Sequence, residues 1–235
     1  MTEPSGGRTL RSRIGALPGV GAAARRVASV VAARRFSDSA TYWTDRYRAG
    51  GTSGSGSYGE LAEMKAGFLN DFVREHGIRT VIELGCGDGN QLTYADYPAY
   101  TGVDISPEAI AQCTRLFADD PTKEFLLSAQ DDGRSADLSL SLDVVYHLTE
   151  DEVFETYMRR LFDAGQRYVI VYSSNKDEPQ RGHVRHRRFT DWVDAAAPGW
   201  SLVEHRPNPF PLVDHEHGSF ADFFVFARDS GNPGT

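Results

Sequence analysis

Apolar residues recur at helical spacing over Leu61, Met64, Phe68, Leu69 and Phe72, which predicts a helix from about Glu60 to His76 with Gly77 as its stop. From residue 80 onward the pattern changes to short apolar runs separated by amphipathic stretches. Thr80–Leu84, Tyr100–Asp104, Lys123–Ser128, Asp137–Asp143 and Arg167–Ser173 read as strands. Pro107–Phe117, Glu150–Ala164 and Phe189–Ala196 read as helices, and Ser201–Arg206 and Phe220–Ala227 as two last strands. This alternation predicts an α/β fold: a seven-stranded, mainly parallel sheet with helices on both faces. The last two strands lack a long helix between them, so an antiparallel strand is expected at that edge.

Two segments stand outside the alternation. Residues 1–39 form a basic arm, with seven arginines against Glu3 and Asp38. Its second half, Ala22–Phe36, has the composition of a short helix, and an Arg-rich, acid-poor start also suits a transit peptide or a surface-touching arm. Residues 40–235 are the domain proper, and 40–76 are expected to cover it. Within that cover, five glycines fall in the ten residues 50–59, between Tyr42, Trp43, Tyr47 and Tyr58. Such a run predicts a mobile loop flanked by aromatics.

The 235 residues suffice for one sizeable core, and 40% hydrophobic with 25% charged residues read as soluble and cytoplasmic. The net charge of −8 is uneven: the arm carries +5 and the acidic body after residue 39 carries −13. That argues against nucleic acid as the main partner and for small or neutral substrates. No stretch approaches the roughly 20 apolar residues that cross a bilayer. The two cysteines, Cys86 and Cys113, have no zinc spacing and suit a reducing compartment.

The most specific segment is Val81-Ile-Glu-Leu-Gly85-Cys-Gly87-Asp-Gly89-Asn90-Gln91. Glycines at 85, 87 and 89 let a ligand approach the backbone at the carboxyl edge of an open sheet. A dinucleotide fingerprint needs its third glycine at 90, where this chain has Asn. Glu83 would repel a pyrophosphate but suits a cation, and Asp104, at the end of the second strand, is placed to accept ribose hydroxyls.

These residues resemble the class I S-adenosylmethionine-dependent methyltransferase superfamily. Glu83–Gly89 matches its first motif, Gly102–Ser106 its second, and Leu140–Leu148 its fourth-strand motif. The resemblance implies a Rossmann-like sheet and S-adenosyl-L-methionine as cofactor. Carried over, Glu83, Gly85, Cys86 and Gly87 line the methionine part, Asp104 the ribose and Ile105 the adenine. Gln130, in Ser128–Gln130, takes the adenine edge; the family usually has an Asp there and this chain does not.

An alcohol acceptor needs a base beside the methyl carbon, and a histidine suits. His147 is the candidate base, with Asp143 orienting a partner or the acceptor and also bordering the cofactor. The basic run His183-Val-Arg185-His186-Arg187-Arg188 follows the fifth strand. It offers His186 as a second candidate base and His183 and Arg185 as acceptor-binding groups, beside Tyr58 and Tyr146. Asp214-His-Glu-His217 is a polar loop whose residue types also suit a divalent ion such as Mg. Together with the loop Gly51-Thr-Ser-Gly54, the segments Asp143–Leu148 and His183–Arg187 resemble bacterial sugar and polysaccharide O-methyltransferases of the methylmannose polysaccharide 1-O-methyltransferase type. That resemblance implies O-methylation of a sugar hydroxyl on a small-molecule or oligosaccharide acceptor. A natural-product O- or N-methyltransferase and an inactive cofactor-binding regulator are the rival readings. Metal need, a homodimer and the arm's role stay open.

Overall fold

The computed structural model describes residues 36–213 and 218–229. The arm up to residue 35 and the Asp214–His217 loop lie outside the described residues.

Seven strands form one sheet: β1 (Val81–Leu84), β2 (Tyr100–Asp104), β3 (Lys123–Leu127), β4 (Ala136–Leu142), β5 (Gly165–Ser173), β6 (Trp200–Arg206) and β7 (Asp222–Arg228). Their order is β3-β2-β1-β4-β5-β7-β6. All pairings are parallel except those of β7, which runs antiparallel to both β5 and β6. The expected mainly parallel sheet is therefore present, with its reversed strand one place in from the edge.

Side-chain alternation explains how β7 holds that place. Phe223 and Val225 enter the core on one face of the sheet, and Phe224 and Phe226 enter the core on the other. A strand apolar on both faces belongs inside a sheet. β1 and β4 are likewise buried along their whole length.

Among the described residues five α-helices surround the sheet: α1 (Ser39–Arg48), α2 (Gly59–Glu75), α3 (Pro107–Leu116), α4 (Asp151–Ala164) and α5 (Phe189–Ala196). Phe68, Leu69, Phe72 and Val73 of α2 pack with Cys113 of α3 on one face. Phe154, Met158, Leu161 and Phe162 of α4 pack with Phe189 and Val193 of α5 on the other. Leu161 is fully buried, so Leu161→Ala would cost about 2–5 kcal/mol through lost contacts and a cavity.

The helix α1 is unexpected, since the sequence pattern predicts no element between the arm and the glycine run at 50–59. Its polar sequence hides it, but Asp38 caps it by accepting the Thr41 N–H at 2.7 Å. Ser39 then donates through its N–H and hydroxyl to Glu150, at 2.9 and 2.6 Å. The carboxyl ends of β1, β2 and β4, with α1 above them, frame the site.

Candidate active site

The turn after β1 is built on one carboxylate. Gly85 and Gly87 take positive φ, 86° and 60°. A Cβ on Gly87 would strike the Ser53 and Tyr47 hydroxyl oxygens, so only glycine fits. The Gly87 N–H donates to Asp104 Oδ2 and the Ser106 N–H to Oδ1, both at 2.9 Å. Burial raises the Asp104 pKa in spite of these bonds. Glu83, one pleat earlier, is also buried and accepts the Tyr100 hydroxyl at 2.7 Å. Burial pushes its carboxyl up to about 7, against the opposing pull of Tyr100 and Lys65.

These residues open onto a cavity of about 720 Å³. Its walls carry six acids, Glu83, Asp88, Asp104, Asp131, Asp143 and Glu152, and one arginine, Arg160. Arg160 is already taken by Asp131 through two bonds of 2.5 and 2.8 Å. Such a cavity favours a cation. Its other walls are apolar: Ile105, Leu142, Val144, Leu148 and Val153.

Trp43 and Tyr47 of α1 and the glycine loop form the roof. Asp88 pins that loop: its carboxylate accepts the Ser53 N–H and the Tyr58 hydroxyl, both at 2.8 Å. Its own N–H donates to Ser53 Oγ at 3.1 Å, and Asn90 Nδ2 donates to the Ser57 carbonyl at 2.7 Å. The run expected to be mobile is thus bonded to the turn it covers.

The far wall carries Asp143 and His147. Asp143, just after β4, has φ 61°, the one non-glycine with positive φ among the described residues. Its carboxylate accepts Lys65 Nζ at 2.6 Å and the Tyr146 hydroxyl at 2.8 Å. Both oxygens have partners, and neither partner is His147. The His147 Nδ1 lies 3.0 Å from the His183 carbonyl, which can only accept, so Nδ1 carries the proton and Nε2 the lone pair. The His147 ring meets Trp43 edge-on at 4.8 Å and stacks on His183 at 5.1 Å. Burial pulls its pKa down to about 3.

Several expected site residues sit elsewhere. Gln130 is exposed, and its side chain turns back to accept the Leu127 N–H, because the chain makes a 3₁₀ turn there. It does not border the cavity; Ser128 and Asp131 do. Arg185 donates to the Thr149 carbonyl at 2.8 Å and pairs with Asp151 at 2.9 Å. Arg187 bonds the Leu148 and Thr149 carbonyls and Asp151. The basic run therefore ties down the start of α4 instead of reaching into the cavity. His186 bonds Ser174 Oγ at 2.7 Å and faces a separate groove of about 680 Å³. His183 lies behind His147, stacked on Tyr42 at 4.3 Å. Tyr58 and Tyr146 spend their hydroxyls on Asp88 and Asp143.

Four groups were not singled out from the sequence: Lys65, Asp88, Tyr157 and the Asp131–Arg160 pair. Tyr157 donates to the Leu84 carbonyl at 2.8 Å and lies 2.7 Å from Ser141 Oγ, which fixes the end of β1 against β4. Lys65 had a readable signal, a lone charge on the apolar stripe of α2. Asp88 lay inside the glycine motif itself.

Residues 82–170 match a family model described as a methyltransferase domain. That match runs from β1 into β5 and marks this stretch as a methyltransferase domain. It is 26% identical over 132 residues to the small RNA 2'-O-methyltransferase of Arabidopsis thaliana, a match covering 49% of this chain and 14% of that protein. It is 25% identical over 153 residues to the 2-methyl-6-phytyl-1,4-hydroquinone methyltransferase of Synechocystis sp. (strain ATCC 27184 / PCC 6803 / Kazusa), covering 59% and 48%. Both matches thus span less than half of the relative's length. The magnesium protoporphyrin IX methyltransferase of Synechocystis PCC 6803, solved with bound S-adenosylmethionine, superimposes with a TM-score of 0.59 at 16% identity over 82% of this chain and 98% of its own. The methyltransferase fold is common to them. The cavity fits the cofactor in chemistry: carboxylates for a sulfonium and an ammonium, a glycine cradle that a Cβ would fill, and Ile105 as an apolar platform. Among the described residues no His, Cys, Asp and Glu cluster has metal-holding geometry, and no helix is long and apolar enough to cross a membrane.

Proposed function

We propose that the protein transfers the methyl group of S-adenosylmethionine to a hydroxyl of a sugar or glycan-type small acceptor. The observation that carries this reading is His147: a neutral imidazole in the cavity wall, with its tautomer fixed by the His183 carbonyl. When bound, the cofactor supplies an electrophilic methyl on a sulfonium. Asp104 would hold the ribose, and Glu83 with the turn 85–87 the methionine end. Residues 40–58 would cover both ligands.

His147 Nε2 would take the acceptor's proton as the new C–O bond forms. Its low pKa keeps the lone pair available throughout the physiological range, at the cost of intrinsic basicity. That cost is offset where the acceptor's proton leaves together with bond formation. The Arabidopsis relative is named for methylating the 2'-oxygen of RNA, also a sugar hydroxyl, which favours oxygen over nitrogen.

The test is methyl transfer from labelled cofactor to a panel of mono- and oligosaccharides, with phenols, amines and an RNA oligonucleotide alongside. A methyl ether on a saccharide is expected. Transfer confined to a phenol or amine would support the natural-product reading, and transfer confined to RNA would overturn the small-acceptor reading.

A further inference from the structure

Lys65 is a fully buried lysine on the apolar stripe of α2, between Leu61 and Phe68. Its ammonium lies 2.6 Å from Asp143 and 5.3 Å from the centre of the Tyr172 ring. Asp143 borders the cavity and Lys65 does not, so the cation stands one layer behind the wall. Gly56 of the roof closes on the same carboxylate: a Cβ there would lie 2.9 Å from Asp143 Oδ2. Lys65 also acts on Glu83, whose pKa it lowers. One buried cation thus serves two of the acids that face the ligand.

We propose that Lys65 is a positioning residue that holds and neutralises Asp143, and so sets how strongly the cavity distinguishes a sulfonium from a thioether. The proposal rests on the cofactor reading above. As the methyl group moves, the C–S bond breaks and the C–O bond forms. The sulfur keeps the electron pair and loses its positive charge, and the acceptor's proton passes to the base. A wall rich in unpaired carboxylates stabilises the starting cation more than the transition state, in which that charge is fading. Pairing Asp143 with Lys65 removes one unit of that field. It keeps the carboxylate as the anchor of a left-handed backbone.

The test is calorimetric titration of the full chain with S-adenosylmethionine and, separately, with S-adenosylhomocysteine. The quantity read is the ratio of the second Kd to the first. Lys65→Met should raise the ratio about tenfold, the effect of one uncompensated charge about 10 Å away at an effective dielectric near 20. Asp143→Asn should lower it by a similar factor, because Lys65 is then unpaired. The double variant should return within about threefold of the parent, and Lys65→Arg should stay there. Where Lys65→Met does not fold, Asp143→Asn and the double variant carry the test, since the latter buries no lone charge. Equal losses for both ligands, or an unmoved ratio, would make Lys65 a packing residue and overturn the proposal. A parent protein that binds neither ligand would overturn the cofactor reading, and this proposal with it.

Discussion

The two sides of the cavity are built by different means. At the glycine turn the chain bonds to itself over short range: Gly87 and Ser106 donate backbone N–H groups to Asp104, 17 and 2 residues away. On the far wall the partners are distant. Lys65 and Asp143 are 78 residues apart, and His147 and His183 are 36 apart. The first side is an arrangement of backbone around one carboxylate; the second is an arrangement of side chains held by other side chains. Damage to the first should lower cofactor affinity as a whole; damage to the second should appear in turnover or in how the cavity tells a sulfonium from a thioether.

The strongest challenge to that division is Asp104→Ala. Two charge-assisted bonds to buried backbone N–H groups are lost, each worth about 1.5–3 kcal/mol, and the turn loses its anchor. Affinity for S-adenosylmethionine should fall about 100-fold or more by calorimetric titration. An unchanged Kd would mean the turn is held by its glycines alone.

On the far wall His147→Ala should lower kcat about 100-fold or more, the usual contribution of a positioned base, with cofactor Kd kept within about threefold. Once an acceptor is identified, single-turnover and binding measurements separate the two. A large loss of cofactor affinity would show that the His147–Trp43 contact, not proton transfer, is its role.

The same contrast explains what the sequence could carry. Strands β1 to β5, the glycine turn, Glu83 and Asp104 lie in a local pattern, and period and spacing locate them to within a residue or two. The helix α1 escaped because its stability comes from an Asp38 cap and from Glu150, 111 residues from Ser39, rather than from an apolar stripe. The basic run at 183–188 misleads in the opposite way. Its composition suggests ligand contacts, but Asp151 and the carbonyls of Leu148 and Thr149 have already claimed Arg185 and Arg187. Composition reports which charges are present; only the fold reports which are already paired.

A smaller effect sharpens the cofactor side. The Glu83 carboxyl titrates at about 7, and a cationic ligand favours its ionised form. Affinity for S-adenosylmethionine should therefore rise about tenfold from pH 6 to pH 8, and Glu83→Gln should flatten the curve. Melting temperature is the wrong readout. Glu83, raised above its unfolded value, loses stability as pH climbs from about 4.5 to 7. His147, lowered to about 3, gains stability as pH climbs from about 3 to 6.5, and the two oppose each other over most of that window.

The smallest expected effect concerns His186, which the sequence offered as a second candidate for the base. The first turns of α4 divide the two concavities: Glu152, Val153 and Thr156 face the cavity, while Asp151, Phe154 and Glu155 face the groove that holds His186. Its Nδ1 is bonded to Ser174, and its ring meets Phe220 edge-on at 4.7 Å. His186→Ala should therefore leave kcat and cofactor Kd within about twofold, and cost about 1 kcal/mol of stability for the lost bond. A loss in kcat of tenfold or more would mean that the groove and the cavity work as one site across α4. The base would then have to be sought among residues that now face away from the glycine turn.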